Sequence, residues 1–457
     1  VSSPELETTP APVTSGDRAV PHTDVEIALS INGGQAPLTI DRALSDTADS
    51  DGAGPTVEIA PTAIPLLAPR NGPVTPVTDP IALSRLAQAM GGSTSPIALD
   101  AERASGFRYS SRAYVVQLKR ADIGNVLLDP IALGDLTCLQ APLAAAEWVL
   151  HAASQDLPCL AEAGLRPTTL FDTELAGRLA GLPRVGLGPL VEQMLGLHLE
   201  KGHGAADWSI RPLPANWLNY AALDVEVLIE LRDAMEAELT RQDKLEWAHQ
   251  EFAAIVAAPQ AAPRIDPWRR TSGIHKIRDR RSLEIVRQLW LGRDDTARRR
   301  DIAPHRILPD TAIAAAAAAK PASVAALIAL PVFAGRVQRR QADRWMQAID
   351  LAFRTPEVDL PPVQLVLDGP PPANRWKDKH PEAAARLAVA REALAALSEE
   401  VSTPVENLLS PELVRRVCWA GINSAPEIEQ ILTDAYARPW QIQLTASLLA
   451  KANAATA

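Results

Sequence analysis

"PIALDAER", residues 96–103, is the stretch on which the reading of this chain turns. Its opening is nearly continuous in apolar character, as a central strand buried on both faces requires. It then sets Asp100 and Glu102 at i and i+2, so both carboxylates leave one face of a sheet at a strand end. "RAYVVQLKR" (112–120) and "NVLLDP" (125–130) read as two further strands, and "EWVLHAA" (147–153) as a fourth. Helices are predicted over 79–90, 134–145, 155–164, 172–181, 187–197 and 214–243. Short strands followed by helices indicate an α/β domain with a mixed sheet.

The two acids of the first strand have candidate partners. "HAASQD" (151–156) puts Asp156 at the start of a helix directly after an apolar strand. "LNYAALDVEVLIE" (218–230) puts Tyr220 and Asp224 four apart, on the same face of a helix otherwise suited to burial. Each piece alone has a plainer explanation. A D-x-E is commonly a pair of solvated surface acids, an acid at a helix start is favoured by the macrodipole, and a lone tyrosine is usually core with its hydroxyl at the rim. Together they predict four converging carboxylates, which repel one another unless cations sit among them. Hard divalent ions with oxygen ligands, Mg²⁺ or Mn²⁺, suit that arrangement. Two such ions ~3.5–4 Å apart clamp a phosphodiester, and Tyr220 could hold the attacking water in line.

Order, element types and spacing taken together resemble ribonuclease D, of the DEDD superfamily of 3′–5′ exonucleases, tyrosine subtype. "IALDAE" matches the first motif with Asp100 and Glu102, "HAASQD" the second with His151 and Asp156, and "YAALDV" the third with Tyr220 and Asp224. "ADWSIRPL" (206–213) resembles the family's D-W-x-x-R-P-L and Lys201 falls near a family lysine, so the resemblance implies substrate contacts from His151, Lys201, Trp208 and Arg211. The histidine subtype carries its histidine five residues before the last acid, where this chain has Asn219. The residue after D-x-E is commonly aromatic in the family and here is Arg103, leaving Arg103, Phe107 and Tyr109 as candidates to meet a terminal nucleotide. The resemblance implies a ribonuclease H-like exonuclease domain with a mixed sheet, followed by two all-helical HRDC-type domains. It also implies hydrolysis of RNA, such as tRNA precursors, from the 3′ end to nucleoside 5′-monophosphates with two divalent ions. Asp100, Glu102 and Asp224 would hold the nucleophile-side ion, and Asp100, with Asp156 through a water, the second.

Composition agrees with this once charge is located. Of the net charge of −10, residues 1–60 carry −8, leaving the body almost neutral. That segment has no aromatic residue and is expected to be a disordered acidic tail, followed by an exonuclease domain over 61–250. Helical domains are expected over 264–355 and 378–453, joined by a Pro-rich linker at 356–377. Residues 264–306 hold thirteen Arg or Lys against six Asp or Glu, so this module is the better candidate for phosphate contact. Arg278, Arg280, Arg281, Arg298 and Arg299 are the expected contacts, whereas Trp268 and Trp290 read as core. Three lone cysteines without metal-ligand spacing, and no basic-then-apolar leader, suggest a reducing, cytoplasmic setting. No apolar run reaches the ~20 residues of a membrane span, and no obligate protein partner is inferred. No Walker A string is present, and His198, Glu200 and His203 lack convincing metal-ligand spacing. A DNA-end exonuclease and a catalytically retired RNA-binding scaffold remain as alternatives.

Overall fold

The computed structural model describes residues 63–456 apart from 201, 260–261 and 365–368, so the acidic stretch 1–60 and Lys201 lie outside the described residues. Among those described, the strands are β1 (Ile64–Leu66), β2 (Ile97–Arg103), β3 (Ala113–Arg120), β4 (Gly124–Leu128), β5 (Glu147–Leu150), β6 (Thr169–Asp172) and β7 (Leu197–Leu199). The main sheet runs β4-β3-β2-β5-β6, with β2 central. β2 pairs antiparallel with β3 and parallel with β5, so the sheet is mixed, and β2 is flanked on both edges as its apolar run demands. β1 and β7 form a separate parallel pair of three residues each.

The helix expected over 134–145 is only Gln140–Ala144 behind a 3-10 turn at Thr137–Leu139, and two further differences bear on the site. β6 was not visible in the sequence: it is only "TLFD", with three of its four residues buried and its partner in β5. The helix expected over 214–243 is two, Ala215–Glu226 and Leu228–Arg241, with Val227 leaving helical geometry between them. The break follows from where each piece is tied. The Glu226 carboxylate is buried against Lys119 Nζ of β3 at 2.8 Å. The second helix turns toward β5, where Arg232 Nε meets Glu147 at 2.8 Å.

Beyond the sheet the chain is helical. One module is centred on helix Arg280–Arg300, packed on Ala342–Arg354 around buried Trp268, Phe333 and Trp345. Trp268 is core, as read from the sequence, and Trp290 is half-buried against the same cluster. A second module is built on Pro381–Glu400 and Pro439–Ala454 around Trp376 and Leu387. It docks on the helices of the mixed-sheet domain rather than on the sheet end that carries Asp100. Trp440 stacks on Trp247 with centroids 4.8 Å apart. Buried Lys244 donates to the carbonyls of Leu179 at 2.8 Å and Ser402 at 3.1 Å. Gly181 makes this approach feasible: its φ is +73°, and a Cβ there would lie 2.2 Å from Ser402 O. No described helix is long and apolar enough to cross a membrane.

Candidate active site

Period two along β2 sends Asp100 and Glu102 to one face, and helix Ala215–Glu226 crosses that face with Asp224. One carboxylate oxygen from each of the three lies within 4.8 Å of the others. Tyr220, one turn earlier on the helix, hydrogen-bonds the Asp224 carboxylate. Gln117, opposite Asp100 in the β2–β3 register, donates Nε2 to Asp100 Oδ2 at 3.2 Å. Together with Arg103, His151 and Asp156 these acids line a cavity of about 460 Å³. Asp156 stands outside the tight triad. It makes no helix-capping bond, and its Oδ1 faces Arg103 Nη2 at 3.5 Å.

Several residues that sequence reading missed hold this arrangement. Asp172, at the end of β6, accepts from the backbone N–H groups of Ala152 (3.0 Å) and Ala153 (2.8 Å) while capping helix Thr173–Leu179 through Glu174 N and Leu175 N. That pins the turn carrying His151 and Asp156, where Ala152 has φ +60°. Glu226 fixes the far end of the Tyr220–Asp224 helix against Lys119 and Asn125. Gly202 lies so close to Tyr220 that a Cβ would come within 2.8 Å of the ring, while His203 meets that ring edge-on at 5.8 Å. The signal for Gly202 in the sequence is the pair of glycines flanking His203 in "KGHG" (201–204).

The electrostatics are those of crowded, buried acids. Burial pushes Asp100 up to about 6. Glu102 is pushed up to about 10, first by burial and then by the charges of Asp100, Asp224 and Asp156. Asp156 and Asp224 are held well above the usual carboxylate range by burial and by the charge of Asp100. The Tyr220 phenol is raised by burial and by Asp224. His151 is lowered to about 4 by burial, so its ring is neutral at pH 7, with Nδ1 2.9 Å from Thr173 Oγ1. A donor set made only of oxygens, close-packed and reluctant to carry unbalanced charge, fits a hard divalent cation.

The expected substrate contacts divide. Arg103 and His151 line the cavity. Phe107 and Tyr109 do not: the first lies under Arg306 with the guanidinium 4.2 Å from its centroid, and the second donates to Asp294 at 3.0 Å. Both aromatics anchor the loop after β2 to the first helical module. Trp208 is fully buried, its Nε1 donating to His203 O at 3.1 Å. Arg211 spends all five N–H groups internally. It holds Asp129 bidentately at 2.6 and 2.7 Å and donates to the carbonyls of Trp208, Ile210 and Tyr114. The "DWSIRPL" string is thus a brace beneath the site. In the basic module, Arg280 donates to Leu360 O and Pro361 O, and Arg281 to the carbonyls of Ala352, Phe353 and Thr355. Arg298 and Arg299 are exposed with i,i+4 partners Asp294 and Asp295, and Arg278 is exposed without a partner among the described residues.

Residues 74–240 match a family described as 3′–5′ exonuclease, 282–349 the HRDC domain, and 369–453 a family described as 3′ to 5′ exonuclease C-terminal domain. Ribonuclease D of Gluconacetobacter diazotrophicus is 32% identical over 61% of this chain and 72% of its own. The chain belongs to the ribonuclease D family. Ribonuclease D of Granulibacter bethesdensis is 29% identical over 73% of this chain and 83% of its own. Among solved structures, a protein from Bifidobacterium adolescentis is 37% identical, with a TM-score of 0.79 over 86% of this chain and 100% of that one. Ribonuclease D from Escherichia coli shares the fold, with a TM-score of 0.62 over 79% of this chain and 99% of that one at 24% identity. The molecule is therefore a 3′–5′ exonuclease of the ribonuclease D type, its mixed-sheet domain followed by an HRDC domain and a C-terminal helical domain.

Proposed function

We propose that this chain shortens RNA from the 3′ end, releasing nucleoside 5′-monophosphates, with structured precursors such as those of tRNA as its substrate class. The observation that carries this reading is the convergence of Asp100, Glu102 and Asp224 within 4.8 Å. The ribonuclease D relatives supply the expectation of RNA. Asp100, Glu102 and Asp224 would hold one Mg²⁺ or Mn²⁺, and Asp100 with Asp156 a second. When bound, such ions supply Lewis acidity and a water of lowered pKa.

The residues themselves position and exclude. Tyr220 keeps its proton at neutral pH, because its phenol is raised by burial and by Asp224. It cannot act as a base there and instead orients a water, its hydroxyl proton committed to Asp224 and its lone pairs left to accept. That water's oxygen bonds to phosphorus as the bond to the 3′ oxygen of the penultimate nucleotide breaks, leaving a 5′-phosphate on the departing unit. Neutral His151 and Gly202 line the cavity in which the last nucleotide would sit.

The test is hydrolysis by the full-length chain with Mn²⁺ on matched RNA and DNA bearing a 3′ single-stranded end. The expected result is a nested ladder from 5′-labelled RNA and one labelled mononucleotide from 3′-labelled RNA. Internal fragments would overturn the reading, and faster hydrolysis of DNA would replace RNA with DNA ends.

A further inference from the structure

The fourth acid is treated differently from the other three. Asp100, Glu102 and Asp224 form the tight group, whereas Asp156, a residue 5% exposed, turns its carboxylate to the guanidinium of Arg103 at 3.5 Å. Arg103 is the one Arg or Lys among the described residues lining the cavity. Strict alternation along β2 would send it away from Glu102. The β2–β3 register shifts between Glu102 and Arg103, and such an irregularity re-aims a side chain, so both residues line the same cavity.

The backbone that follows Arg103 is also held. Arg306 Nε donates to Gly106 O at 2.8 Å, Ala303 N to Phe107 O at 2.9 Å, and Ser110 N to Asp301 Oδ1 at 2.8 Å. The HRDC domain thus fixes the loop on which the guanidinium rides. We infer that Arg103 is a built-in counter-cation for Asp156, competing with a divalent ion on that side of the site. A guanidinium stays charged at every pH the protein meets, so it lowers the negative charge Asp156 offers whenever it is in place. An RNA phosphate entering the cavity gives the guanidinium a second anion, so Arg103 also contributes to holding the 3′ end.

This inference rests on the divalent-cation reading proposed above, and its test separates the two. Mn²⁺ is titrated by calorimetry into metal-free full-length wild type, R103M, R103K and D224N, with thermal melting to verify folding. In R103M the weaker Mn²⁺ step should tighten about tenfold, as expected for removing a unit charge a few ångströms from the ion in a well-screened site. R103K keeps the charge and should stay within about threefold of wild type. KM for RNA should rise in R103M while R103K largely restores it. Unchanged Mn²⁺ affinity in R103M, or an equal gain in R103K, overturns the role assigned to Arg103. Should R103M fail to fold, R103Q removes the same charge and is held to the same outcomes. Wild type that binds no Mn²⁺ overturns the cation reading itself. Wild-type binding abolished in D224N but indifferent to R103M overturns only the inference about Arg103.

Discussion

Along helix Arg280–Arg300, Arg281 is turned back onto the carbonyl groups at the end of helix Ala342–Arg354, and Arg298 and Arg299 each face an aspartate one turn away. In the cavity, Asp100, Glu102 and Asp224 face one another instead, and the nearest guanidinium pairs with a fourth acid. Both regions are dense in charge. In the first the named arginines are paired with acceptors, whereas the second packs carboxyl groups against one another at a cost to the fold. The second condition is the one that marks chemistry, because buried like charges persist where function needs them. Density alone does not distinguish the two, as the basic module shows.

The largest effect should come from relieving that repulsion at a proposed ligand. Asp224→Asn keeps the shape and removes a charge, so exonuclease turnover should drop by on the order of 10²–10³-fold or more. Single-turnover rates with labelled RNA would measure it, and near-normal turnover would break the contrast. Arg211→Ala attacks a balanced charge in the same domain. It leaves Asp129, 5% exposed, without its bidentate partner, and should cost about 3 kcal/mol in denaturant unfolding. Tyr220→Phe removes one hydroxyl and no carboxylate. Activity should fall on the order of tenfold, the worth of one hydrogen bond to a charged or reacting group, while Mn²⁺ affinity by calorimetry stays near wild type. Smallest of all is Arg278→Ala, the one arginine of the five expected contacts without a partner among the described residues. It should raise KM for RNA a few-fold and flatten log K against log salt by about 0.7, whereas an unchanged slope would place Arg278 in solvent alone.

These contrasts also explain what was legible in the sequence. Asp100 and Glu102 share a face because strands alternate, and Tyr220 and Asp224 because helices return every four residues. Local periodicity therefore displayed four of the five proposed catalytic groups. The central position of β2 followed from its unbroken apolar run. What was not legible depended on distant partners. Tyr109, beside the first motif, looks the same whether it stacks on a base or docks on Asp294, which lies 185 residues along the chain. Arg211 in a family string looks like a substrate contact until Asp129 and three carbonyls are seen to exhaust its donors. β6 is four residues long, too short for alternation to register, yet it ends in the aspartate that pins the second motif.

The central claim is that the acid cluster burdens the fold until a cation arrives, and melting across pH tests it most directly. Burial holds Asp100 up to about 6, so its contribution to stability is fully present below the unfolded carboxylate range near ~4 and is lost as pH rises through about 6. Thermal melting of metal-free wild type and Asp100→Asn is compared from pH ~4 to ~8, then repeated with Mn²⁺ at the upper end. Wild type should lose stability through that window, while Asp100→Asn loses less and melts higher near pH ~7.5. Mn²⁺ should restore wild type and leave the variant largely unmoved. A metal-free variant that melts below wild type at the same pH, or a wild type indifferent to Mn²⁺, would contradict the account.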